Sequence, residues 1–199
     1  MNIVLVGSRF FGQEALVALA QEPSIKIVRV VAPALDDRLY KAAVARGIEA
    51  MVHADPHHVG AELIPDNVEL IVTAHCHARV MPDALAKARL GGIGYHPSLL
   101  PRHRGIAAVE WTIKAGDPIA GGSIYHLADR MDAGPLAAQD WCFVRPGETA
   151  RELWERALAP MGLKLLREVV AGAAASGEIP AFPQQEEFAT KAPASLTPN

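Results

Sequence analysis

Two stretches of this chain concentrate groups able to move protons. The first is Tyr95-His96-Pro97-Ser98-Leu99-Leu100-Pro101-Arg102-His103-Arg104-Gly105; the second is Asp129-Arg130-Met131-Asp132-Ala133-Gly134. Imidazole and carboxylate complement one another, because a carboxylate fixes the tautomer of a histidine and can take up or relay its proton. Each stretch also has a plainer meaning by itself: a structural histidine between prolines, and a polar loop between strands. Brought to one crevice, they form an acid and base pair.

Other chemistry-bearing residues fit less well. On a strand, His75 and His77 share one face while Cys76 points to the other, and no second ligand pair follows at zinc-type spacing. This segment is expected to be a loop that lines a pocket without a metal, and His57-His58 to be solvated surface. Gly7-Ser8-Arg9-Phe10-Phe11-Gly12 follows an apolar run as a dinucleotide-binding turn would, but it lacks the GxGxxG spacing. A helix N-terminus at that turn could instead accept an anionic or polar group.

The elements that must carry these residues follow from periodicity. Residues 3–6 read as a strand, 7–12 as a tight turn and 13–20 as a helix; a strand over 25–31 and a helix over 36–46 come next. Strands are expected at 48–52, 70–74 and 93–96, with helices at 82–88 and 107–115. This alternation favours a parallel sheet with helices on its faces. Residues 121–127 and 136–144 are strands joined by a connection too short for a crossover, so they should pair antiparallel and make the sheet mixed. Thr149 and Glu152 form a capping box ahead of a helix running to about residue 175. Gly177 closes that helix, a proline-containing tail follows, and residues 192–199 are expected to be frayed or draped over the domain.

Composition narrows the class. The chain has 199 residues, half of them hydrophobic, with a formal net charge of −3, which supports a sizeable core and gives no electrostatic support for binding nucleic acid. Cys76 and Cys142 form no CxxC pair, which favours a reducing, cytoplasmic location. The first residues lack the basic region of a signal peptide, and no apolar run approaches the roughly 18 residues of a membrane helix.

The motif His96-Pro97-Ser98-Leu99-Leu100-Pro101, with Arg104-Gly105 behind it and Asp132-Ala133-Gly134 downstream, resembles the signature of the folate-dependent formyltransferases. Phe11-Gly12-Gln13-Glu14, Trp111-Thr112 and the helix around residues 153–163 extend the resemblance to about Phe188. Within that family the chain looks most similar to the hydrolase domain of 10-formyltetrahydrofolate dehydrogenase, and more distantly to the methionyl-tRNA and glycinamide ribonucleotide formyltransferases. The resemblance implies a Rossmann-like three-layer α/β/α catalytic domain over residues 1–180 with a C-terminal tail over 181–199. It also implies 10-formyltetrahydrofolate as cosubstrate, no metal, and transfer of the formyl group to an amine or water with release of tetrahydrofolate.

His96 and Asp132 would be the catalytic residues. The pterin would be held, largely through backbone, by His77, Ala78, Arg79, Val80, Ile93, Gly94, Ala128, Asp129, Arg130 and Met131. Gly94 departs from the pattern: transferases of the family carry an asparagine there, two residues before the histidine, and losing one oxyanion donor costs about 100- to 1000-fold in rate. A catalytically impaired folate binder is therefore the alternative reading, with a nucleotide-binding Rossmann module behind it. Partners are expected to be a small-molecule substrate and folate, without a membrane. A tRNA acceptor would want a basic patch that the composition does not offer, and neither the acceptor nor the oligomeric state is legible.

Overall fold

β1 (Asn2–Gly7) is apolar on both faces, and Ile3, Val4, Leu5 and Val6 are fully buried, as a strand with helices on either side must be. The computed structural model describes residues 1–194 and contains two compact units.

The first unit comprises Met1–Gly94 and Leu166–Ile179. In it β1 is followed by α1 (Arg9–Ala20), β2 (Lys26–Ala32), α2 (Arg38–Val44), β3 (Ala50–Val52), β4 (His58–Val59), β5 (Leu70–Ala74), β6 (Arg79–Val80) and α3 (Pro82–Ala86). β1 pairs parallel with β2 on one side and with β5 on the other, in the register Ile3↔Leu70 to Gly7↔Ala74. The chain therefore winds outward through β2 and β3, then returns to the far side of β1 to lay down β5. Where strand order reverses in this way, loops at the carboxyl ends of the two central strands diverge and leave a crevice.

β7 (Gly92–His96) pairs parallel with β5 through Gly92–Gly94 and continues into the second unit, which comprises Tyr95–Leu165 and the chain from Pro180. There α4 (Ala108–Lys114) precedes β8 (Ile119–His126) and β9 (Leu136–Phe143), which pair antiparallel from Ile119↔Phe143 to Tyr125↔Leu136. The strand order is β3-β2-β1-β5-β7-β8-β9, a mixed and mostly parallel sheet of the expected class. Val109, Ala120, Leu153 and Leu158 make the core of the second unit, with Trp154 and Met161 packed on it.

The capping box forms as read: Thr149 Oγ1 accepts from Glu152 N at 3.2 Å, and Thr149 N donates to Glu152 Oε2 at 2.8 Å. The helix behind it is not uniform. A π-helical turn (Trp154–Leu158) separates α5 (Ala150–Leu153) from α6 (Ala159–Ser176), and Leu158 O accepts a hydrogen bond from the Tyr95 hydroxyl at 2.7 Å.

One expectation is corrected. The turn after β1 is confined to Ser8, because β1 runs to Gly7, α1 begins at Arg9 and Phe11 enters the core at 3% exposure. The close approach there falls on Gly7, where a Cβ would stand 2.1 Å from Ala74 O. The His75–His77 segment is a loop, as expected: β5 ends at Ala74 and His75 turns the chain at φ +55. β4 and β6 form a separate two-stranded parallel sheet to which no expectation attaches, since two residues are too few to show a period. No helix among the described residues is long and apolar enough to cross a membrane. Of the segment expected to be frayed or draped, residues 195–199 lie outside the described residues, while Ala192 is fully buried.

Candidate active site

His96 is the last residue of β7, and the loop it opens is held by more than its prolines. Ser98 Oγ donates to Arg102 O at 2.6 Å, and the buried Ser123 of β8 donates its hydroxyl to Ser98 O at 2.6 Å. The same Ser123 oxygen accepts from Leu100 N at 3.1 Å and from Gln139 Nε2 at 2.8 Å, so its one donor and two acceptor positions are all filled. The peptide between Leu100 and Pro101 is cis.

The loop returns His103 to the ring of His96, whose Nε2 lies 2.8 Å from His103 O. A carbonyl only accepts, so Nε2 carries the hydrogen and, in the neutral ring, the lone pair is on Nδ1. Nδ1 faces Asp132 Oδ2 at 3.5 Å. Both residues are buried, each at 6% exposure. The Asp132 carboxylate is fixed from two further sides: Gly105 N donates to Oδ2 and the Tyr125 hydroxyl to Oδ1, each at 2.8 Å. Burial pushes the His96 imidazole below its ordinary 6.5; Asp132 and the hydrogen bond to His103 O oppose this, and the His103 ring adds to it. The pair is thus a buried, neutral imidazole whose unprotonated Nδ1 stands beside a carboxylate, an arrangement with room for one proton between them.

The first unit carries a second polar cluster, at the carboxyl ends of β1 and β5. Ser8 Oγ donates to His75 O at 2.7 Å, so its lone pair receives Nδ1–H of His75 at 2.9 Å. The His75 and His77 rings meet edge to face at 4.8 Å, and Arg9, at φ +59, donates its N–H to both oxygens of Asp37 at 3.0 and 3.2 Å. Burial lowers both imidazoles, His77 lowers His75 further, and Arg9 lowers each of them. Cys76 donates to Ala78 O at 3.2 Å, and burial raises its thiol to about 11. Among the described residues no three of His, Cys, Asp and Glu are gathered to hold a metal ion.

Residues 3–170 match the model of a family described as formyl transferase. The chain belongs to the formyl transferase family. It is 35% identical over 201 residues to human cytosolic 10-formyltetrahydrofolate dehydrogenase and 34% identical over 200 residues to the mitochondrial 10-formyltetrahydrofolate dehydrogenase of Mus musculus; each match covers 96% of this chain. The chain spans only 22% of the length of either relative. The fold is shared with the phosphoribosylglycinamide formyltransferase of Anaplasma phagocytophilum, with a TM-score of 0.75 at 21% identity over 95% of this chain and 97% of that one.

In this formyl transferase chain the residues named from sequence fall into two sets. His96 and Asp132 are brought together in the second unit. So is the loop Ala128–Asp129–Arg130–Met131 that leads into Asp132, with Met131 72% exposed and Arg130 Nη2 3.1 Å from Glu186 Oε1. His77, Ala78, Arg79, Val80, Ile93 and Gly94 belong to the first unit. Ala78, Val80 and Ile93 turn their side chains into its core, which leaves their backbone as the part able to meet a ligand.

Sequence reading missed Tyr125, the His103 carbonyl and Gln184, which all bear on the pair. Alternation along β8 puts Ser123 and Tyr125 among apolar neighbours, the one signal that would have marked Tyr125. A backbone carbonyl, or a glutamine 52 residues from its partner, leaves no local pattern.

Proposed function

We propose that this chain releases the formyl group of 10-formyltetrahydrofolate to an acceptor, an amine or water, with His96 and Asp132 as the catalytic pair. The observation that carries the reading is the buried imidazole whose Nδ1 lone pair faces a carboxylate held by two donors. Family membership and the relatives named as 10-formyltetrahydrofolate dehydrogenases support the choice of formyl donor.

The nucleophile attacks the formyl carbon and forms a tetrahedral intermediate. Its proton passes to Nδ1 of His96, and Asp132 stabilises the imidazolium so formed. His96 then supplies that proton to the departing folate nitrogen as the carbon–nitrogen bond breaks. With water as nucleophile the products are formate and tetrahydrofolate. The pterin contacts expected at residues 77–80, 93–94 and 128–131 belong to the same proposal, as does a small-molecule acceptor.

Incubation with 10-formyltetrahydrofolate, following tetrahydrofolate release with and without candidate amines, tests the reading. His96→Ala and Asp132→Asn are each expected to abolish turnover in a folded chain; release at the wild-type rate in both variants would sink the assignment. One observation favours a second reading. Gly94 lies two residues before His96 on the same strand, hence on the same face, and offers no side-chain donor to an oxyanion. Binding of 10-formyltetrahydrofolate with no release by the wild-type chain would make the protein a folate binder instead.

A further inference from the structure

The two loops that supply His96 and Asp132 are both gripped by one stretch of chain near the C-terminus. Phe182 pairs with Leu136 through two backbone hydrogen bonds, of 2.7 and 2.9 Å. Two residues on, the side chain of Gln184 uses its whole hydrogen-bonding capacity. Nε2 donates to Asp132 O at 2.9 Å and to Gly134 O at 2.7 Å, while Oε1 accepts from Arg104 Nε at 3.1 Å and from Arg104 Nη2 at 2.6 Å.

The grip on the histidine loop continues along the backbone. Arg104 N donates to Thr190 O at 2.9 Å, Ala192 N to Arg104 O at 2.7 Å, and His103 N to Thr190 Oγ1 at 2.8 Å. Gly105, at φ +123, passes so close that a Cβ would stand 2.6 Å from Ala192 O.

The groups on either side of Gln184 are those that define the pair. On one side, the residue whose carbonyl it holds is Asp132 itself, standing at φ +53. On the other, Arg104 is flanked by His103, whose carbonyl takes Nε2–H of His96, and by Gly105, whose N–H holds Asp132 Oδ2.

We propose that Gln184 is a positioning residue: its amide ties the Asp132 turn to Arg104 and so sets the separation of the Asp132 carboxylate from His96. The catalytic part of this inference rests on the function proposed above; the geometric part does not. Coulomb attraction falls with distance, and misplacement by about 1 Å at a reacting pair can cost about 100-fold in rate, so the grip has a kinetic consequence.

Two variants separate the halves of the amide. Gln184→Met is close in volume and removes all four hydrogen bonds, whereas Gln184→Glu keeps an oxygen for Arg104 and removes both donors to the Asp132 turn. Thermal unfolding gives the folded fraction of each. In formyl release, kcat per folded molecule is expected to fall about 10- to 100-fold in both, with KM for 10-formyltetrahydrofolate changed less than about threefold.

The second readout needs no turnover: the His96 ring is titrated by nitrogen-15 NMR in wild type and in Gln184→Met, with His96→Gln identifying its signals. The groups that bear on His96 are Asp132, which raises its titration midpoint, the His103 ring, which lowers it, and Tyr125, which acts through Asp132. Loosening Asp132 is therefore expected to lower the midpoint by at least about half a pH unit.

An unmoved midpoint overturns the proposal, as does a moved midpoint with wild-type kcat in both variants. A wild-type chain that releases no formyl group removes the functional reading instead, and the midpoint alone then decides whether Gln184 sets the pair. Should Gln184→Met not fold, Gln184→Glu carries both measurements; its added negative charge acting alone would raise the midpoint, so a fall still reports loosening.

Discussion

Asp132 occupies a left-handed backbone conformation that aspartate tolerates better than most residues, and its carboxylate is met by a backbone N–H, a phenol and an imidazole. Of these, Tyr125 is the one that can be trimmed without touching the backbone or the histidine. Hydrogen bonds to charged groups contribute about 1.5–3 kcal/mol, so Tyr125→Phe is expected to lower kcat for formyl release about tenfold in a chain that still folds. Steady-state kinetics on the purified variant check this; an unchanged kcat would mean the phenol does not hold the carboxylate for the reaction. The pairing of a histidine loop with an acidic loop was legible from residue types, and the choice of His96 and Asp132 within them came from the resemblance of the motif to its family. Their partners were not legible, because the Gly105 N–H and the His103 carbonyl belong to the backbone and every residue has one.

At the level of elements, the loop after β7 illustrates how stiffness arises. Pro97 and Pro101 restrict the chain, yet what fixes the path between them is the Ser123 hydroxyl on the adjacent β8, which joins Ser98 O, Leu100 N and Gln139 Nε2. Ser123→Ala leaves the buried Ser98 O and Leu100 N short of a partner. Since an unsatisfied buried polar group costs about 1–3 kcal/mol, this one methyl-for-hydroxymethyl change is expected to destabilise the protein by about 2–3 kcal/mol in denaturant unfolding. Wild-type stability in that variant would show that water replaces the hydroxyl. Strands and helices with clear periods were readable to within a few residues, and the capping box was readable outright. The first turn was not: Phe11 obeys a packing demand from the core of its unit, and this overrode the turn suggested by two glycines.

For the whole molecule, the buried imidazoles predict how stability responds to acid. His75, His77 and His96 titrate below 6.5 in the folded chain and near it when unfolded, with burial as the first cause in each. As pH falls through about 6.5 the unfolded state takes up more protons, so stability is full above that value and is lost as pH drops toward the folded midpoints. Glu148 and Glu186, held at about 2 by Arg156 and Arg104, titrate well below this window. The unfolding temperature is expected to decline as pH falls below about 6.5, and to decline less in His96→Gln. An equal decline in that variant would show that the histidine is not buried neutral.

The sequence by itself determined the alternation of strands and helices and the antiparallel pair at the end of the sheet, because these depend on residue type at short spacing, and its motif resemblance pointed to His96 and Asp132. Tertiary structure decided the His96 tautomer, the distance to Asp132, and the grip of Gln184 on both loops. Those are set by carbonyls and amides that meet only after the chain has folded, between positions too far apart in sequence for any local pattern to connect them.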